Sequence, residues 1–304
     1  MFNLLNNRST INRSTIQKLC HQKLGYTKRC HQKKGHQQSS SHLIRAKWLV
    51  ATIMALTTLP SFADSVLSVD ENLTQASALI EQADHYRLDS EASRVVSEVK
   101  LYQDDNLDKT RLYDVYLKPN RESLVVFKAK VEQGQKMLML GDNYWLLMPK
   151  SRRPIRITPM QKLLGEASVG DISTLTWSQD YQGEILKTEE ITALDGTVQN
   201  TKKLKLTAKT TGASYQQIDL WIDDKNAFPI QADLYLRSGK LAKKAHFKQG
   251  IRAGKPRVTA MVLQDQIQLN KKTVIEYQSI EPYSLPSKYY NPAFLSKNKQ
   301  LGIE

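Results

Sequence analysis

SRVVSEVKLYQDDNLDKTRLYDVYLKPNRESLVVFKAKV, residues 93–131, sets the fold class through its two-residue period. Val95, Val99 and Leu101 alternate with Arg94, Glu98 and Lys100. Tyr113, Val115 and Leu117 alternate with Leu112, Asp114 and Tyr116. Val125, Phe127, Ala129 and Val131 oppose Lys128 and Lys130. Neighbouring side chains on a strand point to opposite faces, so each run has one apolar and one wet face, the pattern of an antiparallel sheet. Asp104-Asp105, between the first two runs, fits turn chemistry.

The same period extends outward. Lys136 to Leu140, a turn at Gly141-Asp142-Asn143, and Tyr144 to Met148 read as a hairpin that is apolar on both faces. Ile155 and Ile157 mark another short strand. Thr158-Pro159 resembles an N-cap and first helical residue, which predicts a short helical piece over Met160 to Leu164. Residues 165–183 are irregular, with Leu175, Trp177 and Tyr181 as their large apolar groups. Strand signals resume over 184–192, 201–207, 216–222, 229–236, 243–249, 257–263 and 273–279, with turns at Asp195-Gly196 and Ser238-Gly239. Before the strands, Ser68 and Glu71 fit a capping box. Leu73, Ala76, Leu79, Ile80 and Ala83 follow at helical spacing, predicting a helix over 71–87. About ten strands, one leading helix and one helical insertion, with no linker between them, predict a single domain over 64–304. Strands without alternating helices favour a barrel or strongly curved sheet.

Residues 43–64, LIRAKWLVATIMALTTLPSFAD, have the anatomy of an export signal. Arg45 and Lys47 lead a twelve-residue apolar run, Trp48 to Leu59, too short for a stable membrane span of ~20 residues. Pro60 breaks it, and Ser61-Phe62-Ala63 supplies small residues for cleavage after Ala63. The competing reading is an uncleaved anchor. Residues 1–63 would then be a signal with a long basic lead. The alternative for 1–42 is a start assigned upstream of the true one, leaving that stretch untranslated. It repeats itself, as Asn7-Arg8-Ser9-Thr10 and Asn12-Arg13-Ser14-Thr15, and as Cys20-His21-Gln22-Lys23 and Cys30-His31-Gln32-Lys33. The Cys-His pairs invite a zinc reading, but so polar a stretch lacks the fold a zinc module needs.

The formal charge of +14 changes meaning at that cut. Residues 1–63 hold ten Lys/Arg and no acids, leaving 34 basic and 30 acidic groups, a net of +4. That balance gives no reason to expect nucleic acid. Both cysteines lie before the cut, so no disulfide or thiol chemistry is expected after it. Only His85 and His246 follow Ala63, and no nucleophile elbow accompanies either. Adjacent carboxylates on a strand, as at Glu189-Glu190, point apart and make no dyad. The expectation is a non-enzyme without cofactor or metal.

Two C-terminal passages and the apolar hairpin carry a family likeness. They are Trp221-Ile222-Asp223-Asp224-Lys225 with Phe228-Pro229-Ile230, Leu234-Tyr235 and Ser238-Gly239-Lys240-Leu241; Tyr283-Ser284-Leu285-Pro286 with Tyr289, Asn291 and Leu295; and Gly141 to Lys150 with Arg153 and Ile155-Arg156-Ile157. Together they resemble the LolA-type outer-membrane lipoprotein-sorting proteins, in particular the larger LolA-like subgroup of Gram-negative bacteria. The chain departs from that subgroup at Val169-Gly170-Asp171-Ile172-Ser173, where a Gly-Ser-Asp-Phe-type segment is usual.

The resemblance implies a mainly β, unclosed antiparallel barrel of the LolA/LolB kind, its concave side covered by helices and its interior holding acyl chains. It implies a periplasmic carrier of a lipid or acylated lipoprotein, with an inner-membrane donor and an outer-membrane acceptor as partners. The alternative it leaves open is an accessory or sensor subunit on an inner-membrane lipid exporter (RND/MMPL type) or a stress regulator.

Each buried methylene is worth ~0.8 kcal/mol, so a sixteen-carbon chain gains roughly 12 kcal/mol before ordering costs. Release therefore asks for a lid whose own apolar face refills the cavity. The expected lid is Leu73, Leu79 and Ile80 with Met160, Leu163 and Leu164. The expected cavity wall is Val125, Phe127, Met137, Met139, Trp145, Leu147, Trp177 and Trp221, with methionine suited to a variable ligand. Lys150, Arg152, Arg153 and Arg156 would meet head groups or an acidic partner. Plain core packing and a solvated cationic face are the competing readings.

Overall fold

The computed structural model describes residues 63–88, 92–151, 153–266 and 268–297. The signal reading of 43–63, all but its last residue, and residue Arg152 lie outside this set. Helix α1 (Ala63–Arg87) comes first. It begins eight residues before the expected start, so Ser68 and Glu71 lie inside it rather than at a cap. No glycine or proline occurs between Pro60 and Arg87 to stop it sooner.

The first meander is β1 (Ser93–Gln103), β2 (Asn106–Lys118), β3 (Glu122–Phe127), β4 (Lys136–Leu140), β5 (Asn143–Leu147) and β6 (Ile155–Ile157). An insertion follows, with a two-strand ribbon of β7 (Lys162–Leu164) and β8 (Ala167–Ser168) and helix α2 (Val169–Ser173). The second meander is β9 (Tyr181–Thr192), β10 (Val198–Ala208), β11 (Gln217–Asp223), β12 (Pro229–Tyr235), β13 (Leu241–Arg252), β14 (Lys255–Asp265) and β15 (Lys271–Pro282). A 3₁₀ turn (Ser287–Tyr290) and α3 (Pro292–Lys297) end the described chain.

The two meanders join through antiparallel pairing of β1 with β15, giving one thirteen-stranded sheet whose edges are β6 and β9. The sheet is unclosed, as expected. Register shifts in six of its ladders, at Val96/Ser97, Leu101/Tyr102, Lys203/Leu204, Trp221/Ile222, Leu234/Tyr235 and Lys248/Gln249, supply the bends that curl it. The insertion connects one edge strand to the other.

Three local expectations are corrected. Met160 to Leu164 is not helical, because Thr158 to Gln161 closes a single turn and Lys162–Leu164 then pairs with β8. Gly165 makes that ribbon possible: at φ +55 it sits where an added Cβ would lie 2.4 Å from Thr273 Oγ1. The helix of this region is α2, inside the stretch read as irregular. Strand β3 stops at Phe127, and Val131 lies in a 3₁₀ turn, exposed, so the 125–131 alternation overran its strand.

Cross-strand rows show how the interior is built. Val95, Val115, Val125 and Met137 stand opposite one another across β1 to β4, all fully buried in the cluster on the concave side. From the second meander, Leu204, Leu206, Ile218, Leu220, Ile222, Ala245 and Leu263 join them. A second cluster lies on the other face of β2 to β5. There Tyr116, Leu124, Leu138 and Leu147 are covered by Leu285, Tyr290 and Leu295 of the C-terminal segment. This explains why the 136–148 hairpin is apolar on both faces.

Candidate functional site

The concave interior is covered by α1 and the insertion, and each is tied down by a few polar clasps. On α1 a narrow stripe of Ala76, Ile80 and Ala83 is buried, followed by Asp84 and Arg87. Small residues let the helix approach β9, where Gly183 is bare: a Cβ there would stand 2.5 Å from Ile80 Cδ1. Asn72 extends the contact by behaving like a strand neighbour. Its amide donates to the Ile185 carbonyl (3.1 Å) and accepts from the Ile185 N–H (2.8 Å).

At the far end of α1, the Asp84 carboxylate accepts the N–H of Trp177 (2.7 Å) and of Ser178 (2.9 Å). Burial pushes this carboxyl above its usual range, against the pull of those hydrogen bonds and of Arg87. The Arg87 guanidinium lies 4.1 Å above the Trp177 ring, and Trp177 meets Phe247 edge-on.

The insertion is fastened by a buried ionic cluster. Asp171 Oδ2 accepts the Ser168 N–H (2.9 Å), the Ser168 hydroxyl (2.7 Å) and Lys243 Nζ (2.7 Å), while Oδ1 accepts the Tyr215 hydroxyl (2.8 Å). Lys243 Nζ also donates to the Glu166 carbonyl, and the Glu166 N–H donates to Thr273 Oγ1. Burial alone would raise the Asp171 carboxyl. The Lys243 charge and the bonds from Lys243 and Ser168 outweigh it and hold the group below its ordinary value. Burial and then Asp171 raise the Tyr215 phenol.

A pocket of about 40 Å³ touches Arg87, Asp171, Trp177, Tyr215, Phe247 and Met261, room for a water molecule rather than an acyl chain. A 320 Å³ cleft opens between the end of α1 and the β2–β3 turn, lined by Asp84, Leu88, Leu117, Arg121, Met139 and Leu175. A 430 Å³ hollow beside the β9–β10 turn is lined by Leu194, Phe228, Ile230, His246 and Phe247.

The structure divides the expected cavity wall. Val125, Phe127, Met137, Met139 and Trp177 belong to the concave cluster. Leu147 and Trp145 do not; they pack on the other face with the C-terminal segment. The register decides it, since Trp145 stands opposite Leu138 whereas Met137 and Met139 point inward. Trp221 also faces outward, with Lys203 over its ring and its Nε1 donating to Glu189.

Of the expected lid, Ile80 and Leu164 are in the cluster, and Leu79, Met160 and Leu163 pack against it partly buried; Leu73 is half-buried. Lys150, Arg153 and Arg156 are exposed, with Arg156 stacked 4.7 Å over Trp145. Sequence reading missed Asp84, Arg87, Asp171, Tyr215 and Lys243. A usable signal was Lys243 itself, which shares the two-residue period of Ala245 and Phe247, an inward-facing set.

Comparison with known proteins agrees with this architecture. A protein-family model described as an uncharacterized protein family matches residues 119–297, more than half of the chain. The chain belongs to this family. Its fold is that of the LolA superfamily. It resembles the crystal structure of a LolA superfamily protein from Nitrosomonas europaea (28% identity, TM-score 0.64, covering 71% of this chain and 97% of that one). A DUF1329 family protein from Desulfovibrio piger (21%, TM-score 0.59) is matched over 74% of this chain and 99% of its own. A putative outer membrane lipoprotein-sorting protein domain from Vibrio parahaemolyticus (20%, TM-score 0.58) is matched over 74% and 100%. No curated protein matches the chain by sequence.

Proposed function

We propose that this LolA-like protein is a periplasmic carrier that shelters the acyl chains of a lipid or lipoprotein in its concave interior, with α1 and the insertion as the moving cover. The observation behind this reading is that the cover contributes its own apolar side chains, including Ile80, Leu164, Ile172, Leu175 and Trp177, to the cluster it conceals. A ligand that displaces them exchanges one apolar filling for another, so tight sheltering and release are compatible. The apolar run before Ala63 supports export, and the likeness to a putative lipoprotein-sorting domain supports the cargo class. Lys150, Arg152, Arg153 and Arg156 are the cations for head groups or an acidic partner, and the chemistry proposed needs no catalytic group.

The second reading, an accessory or sensor subunit docking on an inner-membrane exporter or regulator, is favoured by the small size, about 40 Å³, of the pocket against Asp171 and Tyr215. Native mass spectrometry of gently purified protein separates the two. The carrier reading expects a co-purified lipid mass that is lost on Met139→Arg, which faces the interior, and kept on Trp145→Arg, which faces outward. A clean apo mass, with no uptake of added phospholipid or acylated peptide, would refute the carrier.

A further inference from the structure

The buried cluster around Lys243 raises a question that packing does not answer. An ion pair inside an apolar interior is weak evidence for stability, because apolar residues of similar volume usually serve as well. Here Lys243 Nζ and the Asp171 carboxylate are both almost wholly buried, and they come from different parts of the molecule: the lysine from β13 of the sheet, the aspartate from the insertion. Lys243 donates to two acceptors, Asp171 Oδ2 and the Glu166 carbonyl, and both ride on the insertion. The pocket lies against the same group, touching Asp171 and Tyr215, and Arg87 on its wall has an Nε with no hydrogen-bonding partner among the described residues.

Resting on the carrier reading, we propose that Lys243, assisted by the Tyr215 hydroxyl, is the receptor for an oxyanion carried by the ligand, and that Asp171 occupies its place while the cover is closed. The cargo is then an acyl chain ending in a carboxylate or phosphate rather than a neutral amphiphile. When the insertion lifts, Lys243 loses both acceptors at once and Tyr215 loses the carboxylate oxygen it donates to. A buried ammonium without an acceptor is costly, so opening is penalised unless something anionic replaces Asp171.

A ligand oxyanion restores those bonds, whereas a hydroxyl restores a hydrogen bond without the charge. Asp265 stands opposite Lys243 across the β13–β14 pair and stays with the sheet when the insertion lifts. Arg87, stacked on Trp177 at the pocket wall, is the second cation near the anion's path.

The test is calorimetric binding of three twelve-carbon probes, laurate, dodecyl phosphate and dodecanol, to the purified protein. Wild type is expected to bind an anionic probe at least tenfold more tightly than dodecanol. The preferred anion distinguishes a carboxylate from a phosphate cargo. Lys243→Met is expected to bring the three within about twofold of one another, and Asp171→Asn to strengthen anion binding several-fold by removing the internal competitor.

Equal affinities for all three probes in wild type, unchanged by Asp171→Asn, would overturn the anion receptor and leave the carrier standing. Absence of binding by any probe, in wild type and in Asp171→Asn, would overturn the carrier reading as well. Should Lys243→Met not fold, wild-type selectivity and the Asp171→Asn gain decide the matter.

Discussion

Asp84→Ala tests whether α1 is clasped to the cover or merely rests on it. The carboxylate is buried and accepts the backbone N–H of Trp177 at 2.7 Å and of Ser178 at 2.9 Å. Truncation leaves two N–H groups without an acceptor beneath the helix, and each such group costs ~1–3 kcal/mol. Part is returned, because removing a carboxyl that burial has already pushed upward relieves its own desolvation. A net loss of ~2–4 kcal/mol is expected. Asp84→Asn keeps one acceptor and should lose about half as much.

Urea denaturation followed by tryptophan fluorescence would read both values, compared at equal slope. Uptake of a naphthylamine dye below the unfolding transition would report the cover. The loosened variant should take up more dye than wild type while its far-UV circular dichroism stays unchanged. A loss under ~0.5 kcal/mol with no added dye uptake would refute the clasp and leave α1 as a passive part of the core.

Two further perturbations probe the insertion and the β2–β5 end of the sheet. Gly165→Ala combines a left-handed φ of +55 with a Cβ placed 2.4 Å from Thr273 Oγ1 and 2.7 Å from Leu101 Cδ1. It should cost ~2 kcal/mol or more in a denaturation midpoint, against ~1 kcal/mol for Gly196→Ala, where φ is +85 but space is open; equal losses would mean that the close approach is unimportant.

Asp142 is held at about 2 by the Thr211 hydroxyl and then by Arg121. Its folded pKa lies below 3.8, so its contribution is present above that value and is lost as pH falls through about 2. The full shift corresponds to ~2.4 kcal/mol. With its side chain 37% exposed, screening leaves ~1 kcal/mol. Asp142→Asn should therefore lower the melting temperature at pH 7 and lower it much less at pH 2, which a pair of thermal scans would check.

The strands were legible because their information is local. Half-buried strands need alternation, and Val95-Val99-Leu101, Tyr113-Val115-Leu117 and the seven later runs supply it. The hairpin at 136–148 even advertised in its sequence that it has two buried faces. Its sequence alone did not say which face is the concave one. Met137 and Trp145 are both large and apolar, and only the Leu138–Trp145 register and the return of Leu285, Tyr290 and Leu295 assign Trp145 to the convex side. Trp221 was misplaced for the same reason.

The cover was the least legible part. A helix at Met160–Leu164 followed reasonably from Thr158-Pro159, but a five-residue stretch is decided by what it packs against. Gly165 against Thr273 and Leu101 made a ribbon there instead. The Asp171–Lys243 pair spans 72 residues and two elements that meet only when the sheet has curled. Thus the amino-acid sequence by itself determined the β-rich class, the order of the strands and the leading helix, since period and turn chemistry act over a few residues. Which side chains share the interior, and the burial of a lysine and an aspartate against each other within it, were decided by tertiary structure alone, because the desolvation and charge that govern them exist only once distant segments enclose the same space.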